Sequence, residues 1–254
     1  MFYDNCVYVG VDPATGRKDF TYAALDGELK LIALTDADMD NTLAFLGGHK
    51  SAIVAINAPS QVNRGLVKKR LEESSLTPGQ TFRGVDMRLV EHNLRKRGIS
   101  VAGTPSREEL CPAWVQVGFA FYRKLSKLGF VLYGSEDAAH QWLETHPFAC
   151  FCTLLERVPF PKPTLEGRLQ RQITIYDKGL HITDPMDFFE EITRFKLMQG
   201  ILPTEVLYTP DQLDVLVAAY TAWLAFNRPE EVIALGDKSE GQVVLPVGEL
   251  KEKY

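Results

Sequence analysis

Five polar side chains stand where apolar runs of this 254-residue chain end or bury themselves: Asp12, Asn57, Glu144 with His146, and Asp214. Asp12 follows the β-formers Val7 to Val11 and precedes the turn residues Pro13, Thr15 and Gly16. An acid where a buried strand emerges is held rigidly and still reaches a ligand; the same acid can also simply start a turn. Asn57 repeats the device after Ala52-Ile53-Val54-Ala55-Ile56. If the two strands lie side by side, Asn57 faces Asp12, where it can offer a carbonyl oxygen or a hydrogen bond but neither charge nor a base. Glu144 and His146 close the run Gln141-Trp142-Leu143, and His146 can position a water, shuttle a proton or serve structure alone. Asp214 lies one turn into the apolar stretch Leu213 to Phe226, where an unpaired carboxylate is costly and a metal ion or basic partner offsets the cost. Asp211, in the first turn of that helix, is favoured by the helix dipole in any case.

Cations form a second set. Lys162, Arg168 and Arg171 are too spaced for a simple charged face, and Arg168 and Arg171, three apart, would share a helix side suited to phosphate or carboxylate. Between Arg64 and Arg97 there are nine Lys or Arg (Arg64, Lys68, Lys69, Arg70, Arg83, Arg88, Arg95, Lys96, Arg97) against four acids. In a chain of net charge −5, that excess is either a phosphate-facing surface or a solvated helix face.

The elements that must position these groups follow from patterning. Phe20 to Leu25 and Leu29 to Leu34 flank Asp26-Gly27, which predicts a hairpin with a positive-φ turn, so the chain opens with a three-strand meander. Asp40 to Leu46 reads as a short helix ended by Gly47-Gly48. Residues 61–111 are polar, basic and punctuated by Thr77-Pro78-Gly79 and Thr104-Pro105, with one helix from Asp86 to Arg97. Too few apolar residues lie there for a second core, which makes the segment an insertion over the strand ends of one domain spanning 1–254. Pro112 and Gly129 bracket a helix with Trp114, Val117, Phe121 and Leu125 on its core face, followed by a strand from Phe130 to Tyr133. Helices are expected from Phe148 to Leu155 and from Met186 to Met198. Thr209-Pro210-Asp211-Gln212 carries an N-cap, a proline at the first position and a capping-box Gln for the last long helix. Val232 to Leu235 and Val243 to Leu245 read as a closing hairpin.

Composition narrows the class. With 45% hydrophobic and 24% charged residues the chain is neither disordered nor fibrous. It shows no secretory pattern at its start, and Leu213 to Phe226 is too short to cross a bilayer, so a cytoplasmic protein is expected, without membrane contact. Cys6, Cys111, Cys150 and Cys152 lack zinc-ribbon or redox spacing and read as buried thiols.

Val9-Gly10-Val11-Asp12, Ala55-Ile56-Asn57-Ala58-Pro59, Glu144-Thr145-His146-Pro147, Lys162 with Gly167-Arg168, and Asp214 with Ala218-Ala219-Tyr220-Thr221-Ala222 together resemble domain-of-unknown-function family 429, described as predicted nucleases of ribonuclease-H-like fold. The resemblance spans nearly the whole chain. It implies an α/β fold with a ribonuclease-H-like mixed sheet, antiparallel meander then parallel strands, flanked by helices. By position Asp12 matches the first-strand acid of such nucleases, Glu144 a later-strand acid and Asp214 the final-helix acid; nucleases of this fold usually carry a carboxylate where this chain has Asn57.

The chemistry implied is phosphodiester hydrolysis in DNA or RNA, with Asp12, Glu144, Asp214 and Asp211 as oxygen ligands for Mg²⁺ or Mn²⁺. Asn57 and His146 would assist. Lys162, Arg168 and Arg171 would hold the scissile phosphate, and Arg64, Lys68, Arg88 and Arg95 would follow the backbone with little sequence preference. Two alternatives stand beside it: a nucleic-acid-binding protein of the same fold that has lost catalysis, and a phosphotransferase of the related kinase fold using the Asp12 turn for ATP.

Overall fold

A computed structural model describes residues 6–16, 18–74, 85–135 and 138–254. Arg83 and Thr77-Pro78-Gly79 lie outside the described residues. The strands are β1 (Cys6–Asp12), β2 (Phe20–Leu25), β3 (Leu31–Ala37), β4 (Ser51–Ile56), β5 (Val131–Leu132), β6 (His140–Glu144), β7 (Ile233–Asp237) and β8 (Gly241–Leu245). They form one mixed sheet in the order β3-β2-β1-β4-β6-β8-β7, with the short β5 alongside β6. The β1–β2–β3 meander is antiparallel, β1, β4, β6 and β8 are parallel, and β7 and β8 form a closing antiparallel hairpin.

Side-chain alternation along β1 and β4 sorts the core. Val7, Val9 and Val11 pack with Ala52, Val54 and Ile56 on one face, against Leu43, Leu46, Phe121 and Leu125. These come from α1 (Met39–Gly47) and α4 (Ala113–Lys127). Tyr8, Ile53 and Ala55 point to the other face, toward α9 (Pro210–Asn227). Both faces are covered, which is why the strands are apolar throughout rather than alternating.

Every residue of α9 from Leu213 to Ala225 is buried. It lies on β1, β2 and β4, and α5 (Pro147–Leu155) and α6 (Leu165–Asp177) cover its far side. A helix enclosed on all sides loses its amphipathic stripe, as this sequence shows. Its N-terminus is fixed by the expected capping box: the Thr209 hydroxyl accepts from the Gln212 amide, and the Gln212 side chain accepts from the Thr209 amide. Gly10 sets the depth of the packing, since a Cβ there would meet the Val215 carbonyl oxygen at 2.0 Å and the Ala219 amide nitrogen at 2.5 Å.

Residues 61–111 contribute α2 (Leu66–Ser74) and α3 (Leu89–Lys96). α3 packs on β7 and β8, and its Val90 and Leu94 join the main core. Several expectations are corrected. The hairpin after β2 is present, but the left-handed residue is Leu29 (φ 61°) rather than Gly27; the Asp26 carboxylate accepts from the Glu28 and Lys30 amides and holds the loop. On α4 the core face is turned away from Trp114, which is 38% exposed, toward Val115, Phe119 and Tyr122. The helix expected from Met186 to Met198 is two short ones, α7 (Asp187–Glu190) and α8 (Arg194–Met198), because the Thr193 hydroxyl accepts from the Lys196 amide and caps a new start. No helix among the described residues is long and apolar enough to cross a membrane.

Candidate metal centre

The parallel strands β1 and β4 end together. The Asn57 amide donates to the Val11 carbonyl at 2.9 Å, which continues the β1–β4 ladder past Ile56. That register sets Asn57 beside Asp12 as expected, and the Asn57 Nδ2 donates to Asp12 Oδ1 at 2.9 Å. Asp12 shares the orientation of Tyr8 and Gly10, toward α9, whose first turns present Asp211 and Asp214 at the same end of the sheet. One oxygen from each of Asp12, Asp211 and Asp214 lies within 4.8 Å of the others, and these three can hold a metal ion.

Two lysines reach into the group. Lys162 Nζ donates to Asp214 Oδ2 at 2.5 Å and to Asp211 Oδ1 at 3.2 Å, while Lys18 Nζ donates to Asp211 Oδ2 at 2.6 Å. Lys162 sits just before α6, on a segment held close to that helix: a Cβ at Gly167 would meet the Pro161 carbonyl oxygen at 2.0 Å. Lys18 follows β1, is exposed, and carries no sequence signal beyond its nearness to Asp12.

Burial dominates the electrostatics. It pushes the Asp214 carboxyl up to about 6 against the pull of Lys162, and raises Asp12 against the hydrogen bond from Asn57. Asp211, more open, is held below its usual value because Lys18 and Lys162 outweigh its partial burial. Burial alone would lower Lys162, but Asp214 and Asp211 hold it above its usual value. Two acids of the group are thus short of positive charge even with both lysines in place. That deficit, together with an all-oxygen donor set, is compatible with a bound metal ion.

Glu144 does not join this group, for a reason of parity. On β6, Leu143 points toward α9 while Trp142 and Glu144 point to the opposite face, and Glu144 lies opposite Ile56 in register. Its oxygens accept from Arg88 Nη2 at 2.6 Å, Arg88 Nη1 at 3.0 Å and the Ser60 amide at 2.7 Å. Arg88 also donates through Nε to Glu91 at 2.7 Å and through Nη1 to the Glu240 carbonyl at 3.1 Å. Arg88 is only 2% exposed, and its donors are taken up by Glu144, Glu91 and the Glu240 carbonyl.

The other expected cations divide. Arg171 is 1% exposed, donates to the Phe160 and Gly167 carbonyls, and lies over the Phe151 ring. Arg168 donates to the Tyr208, Leu207 and Thr204 carbonyls, which holds the approach to α9. Arg95 donates to the Val101 carbonyl. Of these seven, Lys162 reaches the carboxylates, and Arg64 and Lys68 are exposed at and beside the start of α2.

His146 caps α5, its Nδ1 accepting from the Ala149 amide at 3.2 Å. Burial pushes its pKa down to about 4, so it is neutral at pH 7.

A family model described as protein of unknown function, DUF429, matches residues 10–240. No curated protein matches the chain.

Proposed function

We propose that this chain, which belongs to the DUF429 family, is a divalent-metal-dependent nuclease of ribonuclease-H-like architecture that hydrolyses phosphodiester bonds in DNA or RNA with Mg²⁺ or Mn²⁺. The observation that carries the reading is the meeting of Asp12 and Asp214, 202 positions apart in sequence (214 less 12), with Asp211 at one end of the sheet. A strand-end acid beside an acid on the last long helix, across a sheet that begins as an antiparallel meander and continues in parallel, supports the ribonuclease-H-like assignment.

Asp12, Asp211 and Asp214 would hold the ion, which when bound supplies Lewis acidity toward a phosphoryl oxygen and a more acidic water. Asn57 fixes the rotamer of Asp12 through its Nδ2. Lys162 and Lys18 pair with Asp211 and Asp214 in the resting protein, offset part of the group's charge, and would be available to a phosphate. Since Asn57 takes the usual place of an acid and Glu144 faces away, the donor set suits one ion better than two.

The test is cleavage of single- and double-stranded oligonucleotides in Mg²⁺ or Mn²⁺. Cleavage by the wild type should fall at least 100-fold in Asp12→Asn and Asp214→Asn. Binding of polynucleotide with no cleavage in any divalent ion would replace this reading with a non-catalytic nucleic-acid-binding protein. Thermal protection by ATP and not by polynucleotide would replace it with the phosphotransferase.

A further inference from the structure

A cavity of about 180 Å³ opens at the same strand ends, next to the carboxylates. It shares Asn57 with them: that side chain lines the cavity while its Nδ2 holds Asp12. The volume exceeds the roughly 150 Å³ that accommodates one benzene ring, so it takes a single substituted six-membered ring. Val90 and Leu94, each only 1% exposed, close its floor from the core, and the exposed Trp114 stands at its opening.

Its polar groups are of two kinds. Arg88 and the carboxylates of Glu91 and Glu144 reach the lining but are bound to one another and to the amides of Ser60, Arg88 and Thr104. His146 differs. With Nδ1 accepting from the Ala149 amide, the neutral ring carries its proton on Nε2, which has no hydrogen-bond partner among the described residues. The cavity therefore presents one N–H donor, one side-chain amide and an aromatic rim.

We infer that this cavity receives a pyrimidine nucleobase of the nucleic-acid substrate, its ring against Trp114 and its carbonyl oxygen accepting from His146 Nε2. A pyrimidine's single ring needs less of that space than a purine's fused pair. The inference rests on the nuclease reading for its substrate class and deepens it: a base held here brings its own phosphate toward Asp12. An unstacked base is required, which selects single-stranded or flipped nucleotides.

Equilibrium dialysis with cytidine, uridine, adenosine, guanosine and ribose, without metal, tests the cavity apart from any chemistry. Cytidine and uridine should bind at least tenfold tighter than either purine nucleoside or ribose. Ala102 lines the cavity from an exposed position, so Ala102→Phe should block it, cutting pyrimidine binding tenfold or more with an unchanged melting temperature. His146→Asn retains a cap acceptor for Ala149 while withdrawing the donor, and should weaken cytidine at least threefold. Equal binding of purines, pyrimidine binding no better than ribose, or undiminished binding by both variants overturns the inference. Cleavage of oligonucleotides without pyrimidine-nucleoside binding overturns it while leaving the nuclease reading in place. Binding without cleavage supports the cavity and removes the nuclease reading.

Discussion

Two groups of acids, both brought together by the fold near the strand ends, are treated in opposite ways. Around Arg88, Glu144, Glu91 and Glu240 have their oxygens met by rigid donors: the guanidinium, and the amides of Ser60, Arg88, Thr104, Arg64, Leu66 and Leu89. Asp12, Asp211 and Asp214 are met by one side-chain amide and two lysines on flexible stems. The first arrangement leaves nothing for a ligand to satisfy and pins residues 61–111 to β6 and β8. The second leaves two buried carboxylates raised in pKa, an energetic debt that a bound cation can discharge. Acidity and burial alone do not make a site; what distinguishes one is donors that can be exchanged.

The largest effect should come from breaking the rigid group. Arg88→Met leaves Glu144 and Glu91 buried without their cation and should cost about 3–5 kcal/mol, read as a fall in the denaturation midpoint. A loss under about 1 kcal/mol would show that these acids are not held as described.

Asp214→Asn should do the reverse to the metal-free protein. A carboxyl raised from 3.8 to about 6 by folding favours the native state while protonated, and that contribution is lost as pH rises through about 6. At pH 7.5 the Asn variant should therefore be more stable than the wild type by up to about 3 kcal/mol. Below about pH 4, where Asp214 is protonated in both states, the advantage should vanish. Mn²⁺ should raise the melting temperature of the wild type and not of this variant.

Lys162→Met should have a smaller and split effect. The side chain is partly exposed, so the stability change should stay near 1 kcal/mol once solvent screening is counted. Mn²⁺ should bind more tightly, because a competing cation is gone, while cleavage should fall. Parallel loss of both would mean that Lys162 supports the ion rather than substitutes for it. Lys18→Ala, an exposed pair with Asp211, should change stability by less than about 0.5 kcal/mol in thermal melts.

Much of the carboxylate site was legible because its signals are local. The β-formers before Asp12 and Asn57 announce two buried strands, and Thr209, Pro210 and Gln212 announce where α9 begins, which puts Asp214 one turn inside. Glu144 misled because its run gives the strand but not the face: without the register Ile56 to Glu144, nothing says which way a strand-end acid points. Its partner Arg88 lies 56 residues earlier in a polar segment where a buried guanidinium has no local mark. Arg168 and Arg171 do share a helix, but helical spacing does not report that Phe160, Gly167 and Tyr208 turn carbonyls toward them. Lys18 was missed since an exposed lysine in a turn resembles every other.

Gly10 carries a consequence for any attempt to alter this protein. Strand and helix touch there through main-chain atoms and the Ala218 methyl, with no flexible side chain between them to repack. One added methyl would act as a wedge directly beneath the acidic end of α9, tilting Asp214 off Asp12 while opening the interior around Tyr8 and Ala218. At this position robustness and chemistry are a single property, and neither can be tuned without moving the other.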